Sequence, residues 1–138
     1  MLPDFVLDAS VAVAWCFGDE RNQVLDNLEA TLSERTAWVP VHWHGEVLNA
    51  LYMTERRGRL DPARWPLLLK QLARYPLADD DGLPAMTSRA ALDLARQYRL
   101  TVYDAAYLEL ALRRGLPLAS LDNALVAAAR AAGVETLL

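Results

Sequence analysis

LTVYDAAYLELALRRGLPLASLDNALVAAARAAG, residues 100–133, contains the pattern on which the fold turns. A short β-prone piece, LTV, runs into Asp104, and an amphipathic helix begins at once and closes near Gly115. PLASL, residues 117–121, reads as a compact buried strand ending at Asp122, followed by an alanine-rich helix stopped by Gly133. The same succession of strand, acid and helix opens the chain in FVLDAS, where Asp8 follows residues 5–7. Strands linked by helices imply a parallel sheet covered on both faces by right-handed crossovers.

The neighbouring segments agree. Asp8 to Phe17 carries a helical pattern with Gly18 as its stop, and 20–34 places Val24, Leu25, Leu28 and Leu32 at helical spacing. TAWVP (36–40) is a second strand closed by Pro40, and a strong helix runs from His44 to Arg57 before Gly58. Asp61-Pro62 caps and starts another helix. ADDDG (78–82) is the evident surface loop, Pro84 to Tyr98 a further helix, and VETLL (134–138) a last edge strand. The expected fold class is α/β: a three-layer α/β/α sandwich with a mostly parallel central sheet, as one domain over residues 1–138.

The bulk numbers fit that reading. With 138 residues, 54% hydrophobic and 23% charged, the chain has the composition of an ordinary globular protein. No apolar run reaches the roughly 18 residues of a membrane span, so no membrane partner is expected. The start lacks the layout of a signal peptide, and the lone Cys16 cannot form an internal disulfide, so the expected location is cytoplasmic. The net charge of −4 argues against a nucleic-acid partner unless several acids share one pocket, where a divalent ion would reverse the local sign.

Such a pocket is what the spacing places. In open parallel sheets, functional groups gather outside the carboxyl ends of the strands. Asp8 and Asp122 close strands, Asp104 opens a helix, and Glu46 lies in the first turn of the helix after TAWV. Two like charges about 4 Å apart repel by about 4 kcal/mol at an effective dielectric of 20, so a cluster of acids must share protons or bind a cation. Carboxylates without nearby histidine or cysteine ligands select Mg²⁺ or Mn²⁺. Taken singly, Asp8, Asp104 and Asp122 also read as helix caps, and Glu46 as a favourable charge in a first turn. The small neighbours Ala9, Ser10, Ala105 and Ala106 leave room for a ligand, and Ser10 adds a hydroxyl.

Together VLDASVAVAW, VPVHWHGEVLNAL and LTVYDAAYLELALRRGLPLASLDNALVAAARAAGV resemble the PIN-domain family, and most closely VapC-type toxins of toxin–antitoxin pairs. The resemblance implies a metal-dependent endoribonuclease that hydrolyses RNA to 5′-phosphate and 3′-hydroxyl ends. It also implies a homodimer and a cognate VapB-like antitoxin whose arginine would enter the acidic pocket. By position, Asp8, Glu46, Asp104 and Asp122 match the family's catalytic and metal-binding acids, with Ser10 and Asn49 in support. Asn49 reads equally as a buried structural amide. His42 and His44 fall outside the family's pattern and read as loop or helix-start residues.

Arg56, Arg57, Arg59, Arg113 and Arg114 are the candidate contacts to an RNA backbone, with solvated helix ends as the competing reading. Two other functions stay open at this point. An aspartate-based phosphoryl-transfer protein would want a second aspartate where Ser10 stands, and a lysine after a late strand, whereas Lys70 lies in a helical segment. A degenerate, non-catalytic PIN-like module binding RNA or protein is the other, against which the retention of all four acids speaks.

Overall fold

FVL is buried at all three residues and forms an inner strand, as an unbroken apolar run should when both faces of a sheet are covered. The computed structural model describes residues 1–81 and 84–138, and the side chains of all of these except 84–88. Four strands, β1 (Phe5–Leu7), β2 (Ala37–Val39), β3 (Leu77–Asp79) and β4 (Leu118–Ala119), lie parallel in the order β3-β2-β1-β4. Phe5 pairs with Ala37, Ala37 with Leu77, and Val6 with Leu118. Helices α1 (Ala9–Trp15), α2 (Gln23–Ala30), α3 (Trp43–Arg56), α4 (Trp65–Ala73), α5 (Pro84–Tyr98), α6 (Val102–Arg114) and α7 (Asn123–Ala131) complete a three-layer α/β/α sandwich. Among the described residues no helix is long and apolar enough to cross a membrane.

Four local expectations need correction. LTV is not a strand. Thr101 is extended, and its Oγ1 accepts the Asp104 N–H at 3.1 Å, so Thr101 caps α6 and Val102 is already helical. A threonine that satisfies an orphan helix amide outweighs the β-propensity of three residues. Second, Ala78 and Asp79 belong to β3 and not to a loop, and the Asp80 N–H continues the ladder to the Val39 carbonyl at 2.8 Å. An edge strand tolerates the acids that make this segment look like a turn; Gly82 lies outside the described residues. Third, the helix expected over 20–34 is α2 capped by Asn22 and flanked by 3₁₀ turns at Gly18–Glu20 and Thr31–Ser33. Fourth, VETLL contributes one parallel bridge, between Thr136 and Leu118, in place of a full strand.

Packing fixes the two helices that matter for the site. Tyr107, Leu108, Leu110 and Ala111 bury one face of α6, and Val47 and Leu51 bury one face of α3. Gly115, at φ 66°, ends α6 in the left-handed conformation and turns the chain into β4. Cys16 is buried in the core, where desolvation pushes its thiol up to about 11, so it packs as a small apolar group.

The far end of α6 is clamped. Buried Asp80 accepts hydrogen bonds from Arg113 and Arg114, Arg113 also donates to buried Glu109, and the Arg114 guanidinium stacks 3.7 Å from the Trp38 ring centroid. Burial alone would raise the Asp80 pKa, but the bonds and charge from Arg113 and Arg114 prevail and hold it below its ordinary value of 3.8. A carboxyl depressed in the folded state stabilises fully above its unfolded pKa, and that contribution fades as pH falls through the folded one. Asp80→Asn is therefore expected to cost about 2 kcal/mol at neutral pH. That is less than the roughly 3–5 kcal/mol of a fully buried broken pair, because both arginines are partly solvated. Urea midpoints measured for parent and variant should converge below about pH 4; a gap independent of pH would show that packing, not charge, is lost.

Candidate active site

Asp8 leaves β1 in an extended conformation at the N-cap position of α1, yet its side chain makes no capping bond. Instead Oδ2 accepts hydrogen bonds from Ser10 Oγ and Ser120 Oγ, each at 2.7 Å. Both hydroxyls are occupied in turn. Ser10 Oγ accepts the Leu121 N–H and Ser120 Oγ the Asp122 N–H, each at 3.0 Å. The loop after β4 is thus bolted to the first acid, and Oδ1 of Asp8 is left without a hydrogen-bond partner among the described residues. At 5% exposure this is an expensive place for a carboxylate.

Glu46 stands in the first turn of α3. Its Oε1 accepts a 2.6 Å bond from the Tyr107 hydroxyl on α6 and lies 3.1 Å from His42 Nε2. Burial would raise the Glu46 pKa; the bonds from His42 and Tyr107, with the His42 charge, lower it. Tyr107 is fully buried, and desolvation and the Glu46 bond push its hydroxyl up, so it remains a donor. His42 also approaches the Tyr103 carbonyl at 3.1 Å and thereby ties the start of α3 to the start of α6.

Asp104 is in the first turn of α6, its side chain released from capping by Thr101. Asp122 does cap its helix, accepting the Leu125 N–H at 2.9 Å. Charge couples Asp8 to Glu46 and Asp104, and Asp104 to Glu46 and Asp122. Burial raises the Asp8 pKa, the two serines oppose it, and the charges of Glu46 and Asp104 add to the rise. Burial also raises that of Asp104, followed by the charges of Asp122 and Glu46. Among the described residues no three His, Cys, Asp or Glu side chains already stand as a group able to hold a metal ion. The donor chemistry nevertheless fits a hard divalent ion. The four acids offer oxygen donors, and Mg²⁺ needs only one or two direct carboxylates because it keeps several of its waters.

The supporting residues divide. Ser10 donates to Asp8. Asn49 is exposed on α3, not a buried amide, and lines an apolar groove with Gly45, Leu48, Tyr52 and Trp65. Arg56, Arg57 and Arg59 are exposed at the far end of α3, about 15 Å along the helix from Glu46. Arg113 and Arg114 are corrected: their guanidinium groups are engaged by Asp80 and Glu109, which removes them from the free cations available to RNA. His44 pairs with Asp79 at the end of β3, at 2.6 Å. Sequence reading missed Ser120 and Tyr107 and underrated His42. Ser120 stands two residues before Asp122 as Ser10 stands two after Asp8, and a tyrosine on a buried helix face must find a partner for its hydroxyl.

A parallel α/β protein with four acids at the carboxyl edge of its strands is the class that this fold and site define. The PIN domain family model matches residues 5–131. The chain belongs to the PIN domain family, whose members are generally nucleases. Among solved structures, PAE2754 from Pyrobaculum aerophilum is similar over 97% of this chain and 83% of its own, at 25% identity and a TM-score of 0.71. FitAcB from Neisseria gonorrhoeae (14% identity, TM-score 0.67, 97% of this chain and 96% of that one) shares the fold. So does VapBC2 from Rickettsia felis bound to a DNA fragment from their promoter (12% identity, TM-score 0.67, 98% and 97%). No curated protein matches the chain.

Proposed function

We propose that the chain is a divalent-metal-dependent endoribonuclease and the toxin half of a VapBC-type toxin–antitoxin pair. The observation that carries this reading is Asp8, a nearly buried carboxylate raised further by two neighbouring acids and excused from capping its helix. Asp8, Glu46, Asp104 and Asp122 would hold Mg²⁺ or Mn²⁺. When bound, such an ion supplies a nucleophile at neutral pH and offsets charge on the phosphate oxygens.

The chain's own part is positioning. Ser10 and Ser120 fix Oδ2 of Asp8 and aim the carboxylate. Tyr107 and His42 fix Oε1 of Glu46 and keep that group ionised. Thr101 spares Asp104 from the helix terminus. Such outer partners orient ligands and tune their basicity. The antitoxin and homodimer belong to the same proposal: two similar solved structures are of FitAcB and VapBC2, and the apolar groove beside Asn49 is open to a partner.

The test is to incubate purified protein with RNA and divalent ion and to map the product ends. Cleavage leaving 5′-phosphate and 3′-hydroxyl ends, absent in Asp8→Asn, is the expected result. Formation of an acyl phosphate instead, or metal-independent cutting, would overturn it.

A further inference from the structure

Helices α3, α5, α6 and α7 end in the same way. The residue after each helix is left-handed, and the next amide bonds back five residues. Arg59 donates to Thr54, Leu116 to Ala111, Val134 to Ala129 and Leu100 to Ala95, each at 2.8 or 3.0 Å. Three of the left-handed residues are Gly58, Gly115 and Gly133; the fourth, after α5, is Arg99 at φ 55°. Among the described residues no other side chain with a Cβ has a positive φ. A Cβ disfavours this conformation, so glycine is its usual occupant and an arginine there costs stability.

Packing does not account for the exception. Ala95 is buried and Leu100 packs on the core, which explains the turn, whereas Arg99 is exposed. The helix dipole does not account for it either. A cation is favoured at a helix C-terminus, but the last turns already hold Arg56, Arg96, Arg113 with Arg114, and Arg130. The other arginines of α5 face an acid, with Arg89 3.7 Å and Arg96 4.0 Å from Asp93. Among the described residues Arg99 enters no ion pair. Strain held without a structural return points to function.

The place of Arg99 gives that strain a use. It stands two residues before Thr101, which caps α6, and five before Asp104. Five residues of chain span at most about 18 Å, and the first turn of α6 shortens that here. Arg113 and Arg114 are engaged by Asp80 and Glu109, and Arg56, Arg57 and Arg59 stand at the far end of α3. A polyanion drawn to four carboxylates on a chain of net charge −4 needs a neutralising group at the rim. The planar guanidinium matches a phosphate. We propose that Arg99 is a substrate-positioning residue that grips a backbone phosphate flanking the scissile one, its guanidinium held at the rim by the left-handed turn. This rests on the nuclease reading above and adds a phosphate contact to it.

The experiment compares parent, Arg99→Lys, Arg99→Gln and Arg99→Gly in two measurements, both in chelator so that nothing is cut. Melting temperature should stay with the parent for Arg99→Lys and Arg99→Gln, which keep the strain, and rise by about 3 °C for Arg99→Gly, which relieves it. Affinity for a labelled oligoribonucleotide at low salt should fall about fivefold in Arg99→Gln and Arg99→Gly. In both, the slope of log affinity against log salt should shrink by about 0.7, the share of one phosphate contact on a single strand, whereas Arg99→Lys keeps the parental slope. Parental affinity and slope in Arg99→Gly overturn the proposal. So does a glycine variant no more stable than the parent, because no cost is then left to explain. Loss of slope in a protein that cuts no RNA in Mg²⁺ retains the phosphate contact and removes the nuclease reading. Cleavage by the parent, with one salt dependence across all four proteins, does the reverse and leaves Arg99 to an acidic protein partner.

Discussion

Asp8→Asn is expected to give a folded protein that no longer cleaves RNA in Mg²⁺ or Mn²⁺. The amide oxygen can still accept the Ser10 and Ser120 hydroxyls, so the bolt between β1 and the loop after β4 survives the substitution. What disappears is the charge. Residues that merely orient metal ligands cost roughly 10–100-fold when removed, so loss of the principal carboxylate should exceed about 100-fold. The same change should not weaken the fold at neutral pH. Asp8 has a raised pKa, so its ionisation costs stability as pH rises above its ordinary value of 3.8, and an uncharged amide escapes that cost. Initial rates on RNA and thermal melting in chelator, both at pH 7, check the two halves. A variant that cuts at the parental rate would end the assignment of Asp8. A variant that melts far below the parent would show the carboxylate to be structural.

Most of the fold could be read from the chain because its signals were local and repeated. FVL and PLASL are short apolar runs bounded by acids, and the helices between them carry their own stops, of which Gly115 is in the left-handed conformation that glycine favours. The failures share one cause. LTV and ADDDG each follow a partner and not their own propensity: the Asp104 amide claims Thr101, and β2 claims Ala78 and Asp79. Single-residue propensities carry no information about such partners.

The site divided along the same line. Positions of the acids follow from the ends of strands and helices, which a sequence displays. Their supports do not. Ser120 reaches Asp8 across 112 residues of chain and Tyr107 reaches Glu46 across 61, whereas His42 stands one helical turn before Glu46 and is the one of these three supports that the sequence displays. Arg113 and Arg114 show the converse: two exposed-looking basic residues at a helix end are claimed by Asp80, 33 and 34 residues earlier. A free cation and an engaged one look identical until the partner is placed.

Removal of divalent ion should have the other large effect, and it can be read without any substrate. Chelation is expected to stop cleavage completely, and Mg²⁺ or Mn²⁺ to restore it, because carboxylate oxygens are hard donors. Independently, an ion that binds the folded chain and not the unfolded one stabilises by about 2.7 kcal/mol at a hundred times its Kd. In a protein of this size that corresponds to a rise in melting temperature on the order of 10 °C. The acids make the sign plain. Asp8 and Asp104 are held above their ordinary pKa by burial and by one another's neighbours, and a cation relieves both. Asp8→Asn and Asp104→Asn should therefore lose most of the ion-induced rise, whereas Asp80→Asn, whose carboxylate is already neutralised by Arg113 and Arg114, should keep it. An equal rise in all three variants would place the ion elsewhere on the chain. No rise in the parent, together with cleavage that survives chelation, would remove the metal from the account altogether.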